Sequence, residues 1–294
     1  MSHPLLSVWR DILRARCASI VARASSPWFE QRKHLALVAF GTAMTAASAA
    51  RATVFASSVV ADQSSGFVSG WPNPLVALGA PSRINGVGSG FDAVMNPFNA
   101  NWEASDIVEI APGGQLTLQF PNFVNVGGGS EIGVISYTFF IDSGLGANLN
   151  PAQTYSKSAE VRVSDDGVTW HSIGTHAFNH PANAYSDATS SFQSTPGSSP
   201  TDFGIPLTTP LSAFDGKTFA ETLALYGNSG GGTWLDLSSS GLTKVDYIQF
   251  RTTTDSLAID AVSLNNADIG AAVPEPAMLS FLLLTSLSFI RRRR

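Results

Sequence analysis

Between residues 53 and 265 apolar and polar positions alternate in short runs, separated by clusters of Gly, Ser, Thr, Asn and Pro. Period-two alternation between turn clusters is the pattern of β-strands, and sustained helical periodicity is scarce. Gln115-Leu116-Thr117-Leu118-Gln119-Phe120 puts Leu116, Leu118 and Phe120 on one face. Ala159-Glu160-Val161-Arg162-Val163 alternates again, meets Ser164-Asp165-Asp166-Gly167 and resumes at Val168-Thr169-Trp170-His171-Ser172-Ile173. This predicts a hairpin, because Asp-Gly tolerates the positive φ of a tight turn. Residues 245–251 and 257–264 read as further strands, and the apolar stretch 132–141 as one strand buried on both faces. Pro112-Gly113-Gly114 reads as a turn between strands at 107–110 and 115–120, and Gly127-Gly128-Gly129 as a loop. Residues 53–101 read as an entry strand followed by long loops, residues 179–217 as loop, and residues 219–226 as a strand or one short helix. The whole predicts an all-β fold, with no repeat at a fixed period.

The two ends break this pattern. Near the start, Arg32-Lys33-His34 precede the apolar residues 35–40 and a tract of small residues that ends in Ala50-Arg51-Ala52. A cationic segment, an apolar segment and small-x-small residues form a secretory signal, with Ala50 and Ala52 marking the cleavage region. The arginine-bearing residues 1–31 make its lead unusually long. At the other end stand Val273-Pro274-Glu275-Pro276, an apolar run over 277–290, and Arg291, Arg292, Arg293 and Arg294. As a helix that run rises about 21 Å at roughly 1.5 Å per residue, against about 30 Å of hydrocarbon. It is short for a permanent span, and the arginines would stay on the cytoplasmic side.

Proline-fenced glutamate, apolar segment and arginine cluster, in that order, resemble the PEP-CTERM sorting signal of Gram-negative bacteria. The resemblance covers only the last two dozen residues. It implies an exported protein held briefly in the inner membrane by a single hydrophobic helix. An exosortase-type membrane enzyme would then process it for the cell surface or the extracellular matrix. The expected organisation is therefore a signal peptide over 1–52, a β-sandwich over 53–265, a linker over 266–272 and the sorting segment over 273–294.

Charge and cysteine usage sharpen this picture. The single cysteine, Cys17, lies in the signal segment, so the exported domain would have no disulfide. Without residues 1–52 and the tail arginines, six basic residues face 20 acidic ones, a balance of about −14. Such a domain is repelled by phosphate backbones and has no basic patch, which argues against nucleic acid as a partner.

A second resemblance lies in the body. Gly113-Gly114-x-Leu116-Thr117-Leu118-x-Phe120, Val161-x-Val163-Ser164-x-Asp166-Gly167-x-x-Trp170, Leu235-Asp236-Leu237 and Ile259-Asp260-Ala261-Val262 occur in that order. The series looks like the β-sandwich domains of exported surface proteins and is similar to discoidin or carbohydrate-binding jelly rolls. It implies a non-catalytic interaction module with exopolysaccharide as the ligand class. It also implies a structural Ca²⁺, for which Asp260 is the candidate ligand. Independently, Asp260 has the parity of Ala258, Val262 and Leu264 and so points to an apolar face, where a carboxylate needs N–H partners or a cation.

Other chemistry is weakly signalled. His176 and His180 share parity, but a third metal ligand is not evident. Asp165 and Asp166 fit either metal or turn, and turn chemistry accounts for both. A nucleotide site at Gly127-Gly128-Gly129 would need a helix N-terminus next, whereas a strand follows. The mature chain has no Cys and no Gly-x-Ser-x-Gly elbow, so no nucleophile is nominated. Trp71, Trp102 and Trp234 stand among loop residues, where indoles either cap a core or stack on sugar rings. A secreted glycan-active hydrolase and a structural envelope or biofilm component remain as alternative readings.

Overall fold

The computed structural model describes residues 52–86, 92–142 and 151–270. Ala50, Val273, Pro274, Glu275, Pro276 and Arg291 to Arg294 lie outside the described residues, and so do the expected signal and sorting segments. Ala52, the other cleavage candidate, is exposed. Among the described residues no helix is long and apolar enough to cross a membrane.

The described chain is mostly β. Its strands are β1 (Ser58–Val59), β2 (Ser65–Phe67), β3 (Ile84–Asn85), β4 (Ala93–Val94), β5 (Val108–Asn125), β6 (Ile132–Ser136) and β7 (Phe139–Asp142). They continue as β8 (Pro151–Tyr155), β9 (Lys157–Ser164), β10 (His171–Phe178), β11 (Thr233–Leu235), β12 (Lys244–Arg251) and β13 (Leu257–Leu264). One α-helix, α1 (Phe219–Tyr226), precedes β11. A nine-stranded antiparallel sheet runs in the order β10-β9-β12-β5-β13-β6-β11, with β1 and β2 also paired to β5.

β5 organises the sheet. Its first residues, Val108 to Ile110, pair with β13, whereas Gln115 to Asn125 pair with β12. The turn expected at Pro112-Gly113-Gly114 is instead a bend inside this one 18-residue strand. Gly113 takes φ 80°, and a Cβ on Gly114 would collide with the Gly66 carbonyl oxygen. Glycine thus lets the strand turn a corner without ending. The two sheet halves that meet at the bend share one core. Val161, Val163, Ile248 and Phe250 come from one half, and Ile132, Val134, Ile259 and Val262 from the other. Leu116, Leu118 and Phe120 lie in that core, as their alternation predicts.

The strand expected over 132–141 is broken. β6 stops at Ser136, and Phe139 begins β7, which pairs with β8 in a separate ribbon. The apolar run hides the break because it holds neither Gly nor Pro between Val134 and Ile141. The hairpin is present as β9–β10, but its second strand starts at His171 rather than at Val168. Between them Asp166 Oδ1 accepts from the amides of Val168 and Thr169 at 2.8 and 2.7 Å, and Gly167 takes φ 73°. Those bonds hold the Asp166 carboxyl down at about 2.

Residues 219–226 form the helix, and a capping box explains why. Thr218 Oγ1 accepts from the Glu221 amide at 3.3 Å, while Glu221 Oε2 accepts from the Thr218 amide at 2.9 Å. Packing continues past β13: Ile269 is buried against the main core, and the Asn266 amide donates to the Gly204 carbonyl at 2.9 Å.

Candidate ligand-binding site

The bend in β5, the start of β13 and the β6–β7 break leave a cavity of about 290 Å³ at one corner of the sheet. Trp71, Trp102, Tyr137 and Tyr155 supply aromatic walls, and Glu109, Lys157, Thr138 and Ser256 supply polar groups. Each wall is anchored by the backbone. The Glu109 amide donates to the Trp71 carbonyl at 3.0 Å, and Trp71 Nε1 donates to the Trp102 carbonyl at 2.8 Å. The Trp102 amide donates to Oδ1 of buried Asn85 at 3.0 Å. Tyr137 is placed by its amide bond to the Ala258 carbonyl at 3.1 Å. It meets Tyr155 edge to face with ring centroids 5.4 Å apart, and Phe139 stacks on Tyr155 from behind at 5.2 Å. Burial, and then the neighbouring Tyr155, push the Tyr137 phenol upward, so it stays a neutral donor.

The polar groups are partly engaged. The Ser256 hydroxyl donates to Glu109 Oε1, which fixes that carboxylate on the cavity wall. Lys157 Nζ lies 5.7 Å from the centre of the Tyr155 ring and 3.7 Å from Asp255 Oδ1. The cavity therefore offers flat apolar faces together with a carboxylate acceptor, an ammonium donor and hydroxyls. That combination suits a ring molecule with one apolar face and a polar rim.

Asp260 follows the cavity-lining Ala258 on β13 and is bonded by Asn101, the neighbour of Trp102. The register of β13 against β6 jumps between Ile259 and Ala261, so Asp260 is the extra residue of a β-bulge. The bulge corrects the parity argument. Leu257 and Ile259 before it, and Val262 and Leu264 after it, all face the main core, so Asp260 does not share the face of Val262 and Leu264. It is 3 % exposed and accepts from Asn101 Nδ2 at 2.7 Å and from the Ser82 amide. Burial pushes its carboxyl well above the ordinary range, and repulsion from Asp106 adds to this against the pull of the two donors. Asp106 itself is raised, by burial first, while the Gly86 amide opposes.

Among the described residues no group of three His, Cys, Asp or Glu is placed to hold a metal. Asn101 turns its Nδ2, and not its Oδ1, toward Asp260, so its amide oxygen does not complete a cation site with that carboxylate. Asn101 Oδ1 and Asp106 Oδ2 are buried oxygens with no hydrogen-bond donor. A Ca²⁺ beside Asp260 would rest on the Asp260 and Asp106 carboxylates, oxygen being its preferred donor, and would displace the Asn101 donor. The ion would supply charge neutralisation under the segment that carries Trp102.

The other candidates resolve into structure. His176 Nε2 bonds the Ile173 carbonyl at 3.1 Å, and His180 Nδ1 bonds Asn179 Oδ1 at 2.9 Å, so each ring has its own local partner. Burial pushes His180 downward. Trp234 packs in the satellite cluster around Phe140 and Phe214 and donates to the Gly231 carbonyl at 3.1 Å, away from the cavity walls. The Gly127-Gly128-Gly129 loop does seat an anion, but it is the chain's own. Fully buried Glu131 accepts from the amides of Gly127, Gly129 and Leu237 at 2.7, 2.9 and 3.0 Å. Two of the cavity aromatics, Trp71 and Trp102, stand out in the sequence. Glu109 and Tyr137 do not, because they read as ordinary strand residues, and Tyr155 and Lys157 fall in a stretch to which the pattern assigns no element. No protein-family model matches the chain, and no curated protein matches it.

Proposed function

We propose that this chain is an exported cell-surface or extracellular-matrix protein, sorted through a PEP-CTERM tag by an exosortase-type enzyme. Its jelly-roll-like β-sandwich domain binds exopolysaccharide without catalysing its cleavage. The observation that carries the binding part is the cavity walled by Trp71, Trp102, Tyr137 and Tyr155. Indole and phenol faces stack on the C–H faces of sugar rings, while Glu109 and Lys157 are placed to take hydroxyl hydrogen bonds. The cavity's one carboxylate, Glu109, is already bonded to Ser256, whereas glycoside hydrolysis ordinarily uses two flanking carboxylates. The sorting part is carried by Val273-Pro274-Glu275-Pro276, the apolar run and Arg291 to Arg294.

A glycan array probed with the full-length protein tests the binding part. Discrete glycan hits that fall about tenfold or more in affinity in Trp71→Ala are the expected result. Hits insensitive to Trp71 would move the site elsewhere, silence across the array would favour a purely structural envelope role, and glycan cleavage would favour a hydrolase. Mass spectrometry of the protein recovered from the envelope tests the sorting part. The expected mature species begins near Ala52 and lacks Arg291 to Arg294; an intact chain in the cytosol would overturn it.

A further inference from the structure

Trp102 borders more than one cavity. Next to the aromatic corner lies a second hollow of about 410 Å³, lined by Asp92, Ala93, Asn99, Trp102 and Phe192. Trp102 is 38 % exposed and lines both. Phe192, which lines the second hollow, is 80 % exposed, as much as any large apolar side chain among the described residues.

An exposed phenylalanine on a loose loop would say little, but this one stands on a fixed backbone. The Val94 amide donates to the Gln193 carbonyl at 2.7 Å, and Asn96 Nδ2 donates to the Ser191 carbonyl at 2.9 Å. The Gln193 side chain closes its own loop, accepting from the Thr189 amide at 2.7 Å and donating to the Thr195 carbonyl at 2.6 Å. The residues on both sides of Phe192 are thus tied down while its ring faces solvent. Trp102 is held just as firmly through Asn85 and through Asn101, whose Nδ2 donates to the Ser82 carbonyl at 2.6 Å. Two aromatics on tethered backbone line one hollow, and one of them also lines the next.

Each volume sits near the lower end of the about 300–1,000 Å³ common for ligand cavities, so each suits a short piece of a ligand. Charge narrows the choice. Asp92 and Glu109 line the two hollows, Lys157 already has Asp255 beside it, and the surrounding domain is strongly acidic. A polyanion would be repelled.

We propose that Trp102 is the partition of a two-part groove that binds a run of uncharged sugar rings. One part of the run lies against Trp71, Tyr137 and Tyr155, and the next lies against Phe192. This rests on the glycan-binding reading above and adds ligand length, ligand charge and a second subsite to it.

Calorimetry of the full-length protein with glucan, mannan and N-acetylglucosamine ladders, from monosaccharide to hexasaccharide, separates the two ideas. The expected result is affinity that climbs at least about tenfold along one ladder. Phe192→Ala should remove that climb while leaving the shortest bound member unchanged, and Trp102→Ala should weaken every length. Added uronic acid groups should weaken binding. Affinity independent of length, or a climb that survives Phe192→Ala, overturns the second subsite and leaves the first standing. Failure of every ladder to bind overturns the glycan reading and this inference with it. Phe192 is too exposed for its truncation to unfold the domain, which circular dichroism of the variant checks.

Discussion

At the scale of single residues, Asp260 carries the sharpest consequence. Its carboxyl ordinarily titrates at 3.8, and burial raises it well above that in the folded chain. The stability linked to that proton is complete below the unfolded value and is lost as pH rises through the folded one. In the presence of chelator, the melting temperature should therefore fall more steeply in the native protein than in Asp260→Asn as pH rises above 3.8. Ca²⁺ should reverse the fall, by about 2–4 °C per kcal/mol gained at this chain size, and only where Asp260 is present. Scanning fluorimetry reads both effects. A pH slope without a calcium shift would leave Asp260 as a buried neutral acid and remove the cation. The sequence shows Asp260 as a carboxylate among apolar neighbours, and that much is legible. The bulge is not, because one inserted residue changes neither composition nor alternation visibly, yet it moves the side chain to the other face.

At the scale of elements, the difference between expectation and structure lies mostly at glycines and at strand ends. β9 and β10 are readable because alternation and Asp166-Gly167 point the same way. Pro112-Gly113-Gly114 carries the same residue types and means something else: only the pairing partners on either side reveal a bend within β5. Gly114→Ala should therefore cost about 2–3 kcal/mol, since the new methyl group meets backbone rather than a side chain that can move. Thr218→Ala, which removes a cap from a short, solvent-facing turn, should cost about 1 kcal/mol. Urea midpoints of the two variants give the ordering, and an equal or reversed ranking would show that the bend tolerates a side chain.

At the scale of the whole molecule, the candidate site is least legible because its parts are scattered. Trp71, Trp102, Tyr137 and Tyr155 belong to four separate segments, and only the pairing of β5 with β13 and the break after β6 gather them. No local pattern encodes that meeting. The same β5 runs through both halves of the large sheet, bonded to β13 at one end and to β12 at the other. Neither half can come apart while the other keeps its edge intact. Amide exchange in β12 and β13 should accordingly proceed at one common free energy, and separate rates for the two strands would contradict this. In the exported role proposed above, a single shared ribbon would leave proteases no half-open form to cut. The domain survives as one piece or is lost as one.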